Sequence, residues 1–262
     1  SMKRYLKIYF YLARYCFMGD MEFRFNFIMW SIGNTLWAFL LFLTVQLIYN
    51  QVDSIAGWGR NDAYVLAIVN SLFISFLWAF VLPSLTRFHT LTRKGEMDFM
   101  LLKPLQTRFL VSSRVIEFDM YPRLVVLSVL LVAFISQHYT VGLFDWVLFI
   151  FSIIVGVVIF YNFAFIVATT NFWFINIFNL ENLFDAVYDL GRLPLGIFKG
   201  GLQLMFIYFI PMAFLGTFST QILLGKISWE IVLAYLLTLV ASSLFSQWFW
   251  NFALKRYSSA SS

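Results

Sequence analysis

Six long intervals of this chain contain no Asp, Glu, Lys or Arg: 25–52, 63–86, 124–144, 146–180, 200–225 and 231–254. The shortest is 21 residues, and the next longest anywhere is 6. Hydrocarbon hydrates no ion, and about 20 apolar residues in a helix are needed to cross it. Every backbone N–H and C=O in such a run must be paired within the segment, so each reads as a helix. A barrel would alternate polar and apolar residues over about 10 positions, which these runs do not do. Only 12% of the residues are charged, against about a quarter in a soluble domain. The expected fold is an all-α integral membrane protein of one domain over 2–254, with six transmembrane helices at 25–52, 63–86, 124–144, 146–171, 201–216 and 231–254.

The cations set the orientation. Lys and Arg stay on the cytoplasmic side of a membrane. Sixteen of the eighteen lie before the first span, between the second and third, between the fourth and fifth, or after the sixth; the other loops hold only Arg60 and Lys226. Both termini are therefore expected in the cytoplasm. The net charge of +5 then faces an anionic leaflet and requires no nucleic acid.

Outside the spans, residues 3–18 are too charged to enter hydrocarbon. Lys3, Lys7 and Arg14 share a helical stripe, and Tyr5, Leu6, Tyr9, Leu12, Ala13 and Cys16 cover the rest. This reads as an interfacial helix with snorkelling basic side chains, broken at Gly19-Asp20, or else as a plain basic topology signal. Cys16 is alone, so no disulfide forms within one chain. Ser1 and 258–262 read as tag remnants, and no cleavable signal peptide is visible. The cytoplasmic segment 87–123 is the longest polar stretch, and its mixed charge predicts structure. Pro122 suits a first helical turn at the start of the third span. The interval 146–180 is too long for one crossing. The span is expected to end near Asn171, and Phe172–Leu190 to bend along the inner surface with Glu181, Asp185 and Asp189 on its wet face. Pro194, Gly200 and Gly201 then mark a turn back into the bilayer. Pro211 and Gly216 interrupt the fifth interval. This gives either a broken span over 201–216 followed by a re-entrant piece to Gly225, or a single kinked helix.

Catalytic patterns are missing. No nucleotide-binding Gly-x-x-x-x-Gly-Lys-Ser/Thr occurs, and Gly225-Lys226-Ile227 lacks both the hydroxyl and the upstream glycine. His89 and His138 fall at opposite faces and cannot share a metal. No span carries a carboxylate pair or a mid-membrane charge of the kind that couples transport to an ion. The chain is expected to have no catalytic residues, metal or cofactor of its own, so uphill transport would draw on a partner. The polar residues within spans are Asn34, Gln46, Asn70, Asn162, Thr169, Thr170, Asn171, Gln247 and Asn251. They serve either interhelical hydrogen bonding, worth about 0.6–2 kcal/mol each, or a translocation path for an amphiphile. Asn34, Gln46, Asn70, Asn162, Thr169 and Asn171 are the path candidates.

Two segments carry a family resemblance. Gly95-Glu96-Met97-Asp98-Phe99-Met100-Leu101-Leu102-Lys103-Pro104-Leu105 resembles the G-x-x-D-x-x-L-x-x-P pattern found between the second and third spans of permease subunits of type 2 ATP-binding cassette (ABC) exporters. Leu193-Pro194-Leu195-Gly196-Ile197-Phe198 and Phe209-Ile210-Pro211-Met212-Ala213-Phe214 resemble the family's stretch before and within the fifth span. A second proline common there is replaced here by Phe218-Ser219-Thr220-Gln221. The resemblance covers essentially the whole chain and is nearest to six-span permeases of about 260 residues. It implies a permease subunit in a bacterial inner membrane, paired with a second copy or a related permease around a path for an amphiphilic or lipid-like substrate. A cytoplasmic ABC ATPase dimer would carry ATP and Mg. Gly95, Glu96, Met97, Asp98, Met100, Leu101, Lys103 and Pro104 would form the coupling helix on that ATPase. In this reading Gly95 permits a sharp turn, Glu96 and Asp98 offer acceptors, Met97, Met100 and Leu101 form an apolar face, and Pro104 stops the element. The alternatives are a loop helix packed on its own bundle, a membrane scaffold or sensor that recruits an ATPase, and a motif-less membrane enzyme.

Overall fold

The computed structural model describes residues 2–173, 180–191 and 193–257. Among them, five helices are long and apolar enough to cross a membrane. These are α2 (Arg24–Tyr49), α3 (Arg60–Phe80), α8 (Tyr121–His138), α9 (Leu143–Thr169) and α13 (Trp229–Arg256). Five of the six expected spans each overlap one of these helices, with ends that differ by six residues at most. The single sheet among the described residues is a two-stranded hairpin, β1 (Ser54–Ile55) and β2 (Trp58–Gly59), between α2 and α3.

α3 is the most buried of the five and α2 the most exposed. Ala63, Ala67, Ser71, Ser75 and Ala79 recur every four residues along α3, and all are buried. Small side chains at this spacing let helices approach closely where no hydrophobic force drives them together. On another face Val65, Ile68 and Val69 meet Leu127, Leu131 and Ile135 of α8. Phe73, Ile74 and Leu77 join the larger core with Ile159, Phe160, Ala164 and Phe165 of α9. α9 in turn packs along α13, where Phe165 lies 5.0 Å from Trp250.

The interval 63–86 is not one helix. α3 stops at Phe80, Val81 turns, and α4 (Leu82–Thr86) follows. Pro83 has no N–H for the carbonyl four residues back, and that carbonyl, Ala79 O, instead accepts from Glu117 N–H at 3.0 Å. Ser84 Oγ bonds both the N–H and the C=O of Val115, at 2.9 and 3.1 Å. One proline thereby opens a place on the span for the returning end of the long loop. That loop folds as α5 (Phe88–Arg93), α6 (Glu96–Leu101), α7 (Thr107–Ser112) and a 3₁₀ turn at Phe118–Met120.

The first helix, α1 (Met2–Glu22), corrects the expected break at Gly19-Asp20. A helical glycine costs only about 1 kcal/mol, and Asp20 is held where its carboxylate accepts from Phe118 N–H at 3.4 Å. The chain turns at Phe23 instead. α1 lies against the loop: Tyr5 meets Phe109 edge-on at 4.9 Å, and Phe17 meets Phe118 at 5.3 Å.

The larger correction concerns 172–226. One end of the bundle is fixed around Asp62, which accepts from the Tyr139 hydroxyl at 2.7 Å and pairs with Lys226 at 2.8 Å. The hairpin lies at this end. The opposite end carries the C-terminus of α13, where Trp173 packs on Phe249 and Phe252 at 5.7 and 6.1 Å. From there the chain reaches α10 (Leu180–Gly191); residues 174–179 of the expected surface segment lie outside the described residues. At Gly191 an added Cβ would stand 3.3 Å from Asn70 Oδ1, and at Gly196 it would stand 3.2 Å from Ala56 of the hairpin. Residues 194–198 therefore lie at the hairpin end, not at a turn beside α13's C-terminus, and α10 runs through the bundle rather than along its surface. Leu180, Phe184, Val187, Tyr188 and Gly191 form its buried stripe, while Glu181, Asp185 and Asp189 are on its exposed face.

The segment 201–223 then enters and leaves at the same end. It comprises α11 (Gly201–Tyr208), Pro211, a 3₁₀ turn at Met212–Leu215, Gly216 and α12 (Thr217–Leu223). At its deepest, Phe214 O would lie 3.2 Å from a Cβ at Gly156 of α9. Asn70 and Gly216 meet about 15 Å, or ten residues of helix, from the start of α3. The chain then returns to Lys226 and Asp62. Pro211 and Gly216 bracket the tip of a helical dip, and 201–216 does not run from one end of the bundle to the other.

Gly156 makes that tip possible, since its Cβ would also stand 2.8 Å from the Phe73 ring. Gly156→Ala is expected to lower stability by about 1–3 kcal/mol, seen as a lower Tm in detergent, and Phe73→Leu to recover part of the loss.

Candidate functional site

α6 begins where Gly95, at φ +70°, ends α5 in the left-handed region, a conformation glycine adopts without Cβ strain. Glu96 and Asp98 sit in its first turn, where the helix dipole favours anions. The helix ends before Lys103 and Pro104, both exposed. Its faces differ from expectation. Met97 is fully buried and Met100 nearly so, both within the main core, so they anchor α6 to its own bundle. Leu101 is exposed, and more exposed still are the neighbouring apolar side chains Phe99 at 70% and Leu102 at 82%. A short helix presents one face inward, and spacing alone did not say which. The two acids are also engaged within the chain. Glu96 pairs with Arg114 of the same loop at 3.0 Å. Asp98 lies by the Tyr257 hydroxyl; burial and this neighbour push the phenol above its usual range. Beside α6 lies a groove of about 270 Å³ lined by Leu12, Glu96, Phe99, Met100, Lys103, Leu110 and Arg114.

The six path candidates do not converge within one chain. Asn34 donates to Asp119 at 3.0 Å. Gln46 is exposed on α2. Asn70 is fully buried between Gly191 and Gly216, whose missing Cβ atoms make room for it, and its amide has no hydrogen-bond partner among the described residues. Thr169 and Asn171 bond back to Phe165 O and Ala168 O on their own turns. Asn162 belongs to a cluster that sequence reading missed. Its Oδ1 accepts from Arg108 of α7 at 2.8 Å, and its Nδ2 donates to Ser243 of α13 at 2.9 Å. In the sequence Arg108 is one of the sixteen cations that set the orientation, and nothing in its neighbourhood signals that it turns into the α9–α13 seam.

A second polar knot joins α1, α2 and the loop's end. Glu117 pairs with the half-exposed Arg87 at 3.2 Å. Burial outweighs that ion pair and, with Asp119 nearby, raises the Glu117 carboxyl from 4.5 to about 7. A carboxyl whose folded value exceeds its unfolded one is held protonated by the fold. It costs nothing below pH 4.5, and its penalty grows as pH rises to about 7. Melting temperature is expected to fall across that window, and Glu117→Gln to flatten the fall in a pH series of thermal unfolding.

The family model described as "ABC-2 family transporter protein" matches residues 35–261. No curated protein and no solved structure matches the chain.

Proposed function

The chain belongs to the ABC-2 family of transporter proteins, a multi-pass membrane permease, and on that footing we propose that it forms one half of a dimeric path for an amphiphilic or lipid-like substrate in an ABC exporter. The partner half is a second copy or a related permease, and ATP and Mg act on a cytoplasmic ABC ATPase dimer. The membrane is a bacterial inner membrane, crossed six times, with both termini inside. The sixth crossing is made at α10, and the dip of α11 and α12 opens to the outside. Lys199 then joins Arg60 and Lys226 outside, which leaves the basic bias strongly inward.

The observation that carries the ATPase contact is α6. It is anchored inward by Met97 and Met100 while it holds Phe99 and Leu102 out in water, beside the groove that it shares with α1 and α7. Two large apolar side chains, one on a short helix and one at its C-cap, rimmed by Glu96, Lys103 and Arg114, have the make-up of an interface hot spot with a polar rim. Because the loop's end is bonded to α4 at Ser84–Val115 and to α3 at Ala79–Glu117, a push on α6 reaches α3 and α8 through a connected unit.

Phe99→Ala with Leu102→Ala is expected to weaken ATPase co-purification about tenfold or more at unchanged Tm. Met97→Ala instead lowers Tm, by about 2–5 kcal/mol of stability. Unchanged ATPase recovery with the double variant would refute α6 as the contact. Substrate-stimulated ATP hydrolysis in liposomes separates a transporter from a scaffold.

A further inference from the structure

Arg108 is unusual among the cations of this chain. Its Nε donates to the Tyr161 hydroxyl at 3.1 Å and Nη1 to Gln247 Oε1 at 3.0 Å. Nη2 donates to Asn162 Oδ1 at 2.8 Å and Ser246 Oγ at 2.9 Å. The guanidinium also lies 4.5 Å from the centre of the Phe165 ring. Four of its five N–H groups are thus used, every acceptor is neutral, and no described carboxylate forms an ion pair with it.

The depth makes this arrangement informative. α13 has 28 residues, about 42 Å, against about 30 Å of hydrocarbon. Gln247 lies nine residues before Arg256, about 13 Å from the helix end, which puts it a few ångströms inside the hydrocarbon boundary. Rings of Trp173, Phe245, Trp248, Phe249 and Phe252 cluster on the same stretch, as at a headgroup-level aromatic belt. Ser243, Gln247 and Asn251 form a polar stripe four residues apart beside it, and Gln247 and Asn251 are exposed. Polar groups at this depth ordinarily face protein or water. Hydrogen bonds to neutral oxygens orient the guanidinium but do not cancel its charge, and one N–H is left over.

We propose that Arg108, Gln247 and Asn251 form a binding site for the anionic headgroup of a membrane amphiphile lying against α13. The headgroup supplies the missing counter-charge and takes the free Nη1–H. The Gln247 and Asn251 amides, already bonded to each other at 3.1 Å, border it, and the aromatic cluster receives the upper acyl chain. The inference rests on the membrane placement of α9 and α13, not on transport or on any ATPase.

The test is native mass spectrometry of the detergent-solubilised protein, titrated with phosphatidylglycerol or phosphatidylcholine, for the wild type, Arg108→Gln and Gln247→Glu. Wild type is expected to hold one phosphatidylglycerol about tenfold more tightly than phosphatidylcholine, and both variants to lose that one preferred lipid. Gln247→Glu keeps the acceptor and supplies an internal counter-ion, so its Tm should equal or exceed the wild-type value and its loss of lipid cannot be unfolding. A Gln247→Glu protein that retains the preferred phosphatidylglycerol would overturn the proposal. So would inorganic phosphate that raises Tm as much as phosphatidylglycerol does, since the site would then take a soluble oxyanion.

Discussion

Close packing around α3 is the constraint on which the other elements depend. Lipid tails are as apolar as the side chains they would replace, so helices associate in a membrane by fit and by hydrogen bonds rather than by escape from water. α3 supplies the fit through its five buried small residues, and it meets α8 on one side and α9 on another. The same requirement recurs wherever a third element comes near. Gly156 admits Phe73 and the Phe214 carbonyl, and Gly191 and Gly216 admit Asn70. The helical dip of 201–223 reaches the centre of the bundle because no Cβ stands in its way.

The loop 87–117 is not an appendage of this bundle. Pro83 frees the Ala79 carbonyl for Glu117, Ser84 holds both polar groups of Val115, and Arg108 reaches between α9 and α13. Met97 and Met100 sink into the main core. A contact made on Phe99 or Leu102 therefore acts on a piece of protein already joined to four of the long helices. That is a better basis for transmitting force than an apolar face waiting unanchored for a partner.

Much of this was legible in the sequence because ions are excluded from hydrocarbon. The intervals 25–52 and 231–254 correspond closely to Arg24–Tyr49 and Trp229–Arg256. The same logic misplaced α10. Glu181, Asp185 and Asp189 broke the charge-free run, although Leu180, Phe184, Val187 and Tyr188 bury a regular apolar stripe inside the bundle. A helix can carry a charged face and still bury its other face in a bundle, and charge counting cannot see faces. Pro211 and Gly216 announced an interruption, but not that the chain turns back there, which depends on Gly156 far away in sequence. The helix after Gly95 was visible, but its orientation was not: Met97 and Phe99 are equally apolar in the sequence, and only the packing of α5 and α7 decides which is inside. Arg108 left no sequence signal beyond its charge, because its partners come from α9 and α13.

The most direct test of this architecture is the side on which residue 199 lies. With Cys16 replaced by serine, single cysteines at Ser54, Lys103 and Lys199 can be probed with a membrane-impermeant maleimide on intact spheroplasts and on inverted vesicles. Labelling of positions 54 and 199 from one face and of position 103 from the other is the result expected if α10 runs through the bundle and 201–223 dips and returns. Labelling of 199 together with 103 would restore a surface helix followed by a crossing at 201–216, and would contradict the fold described here.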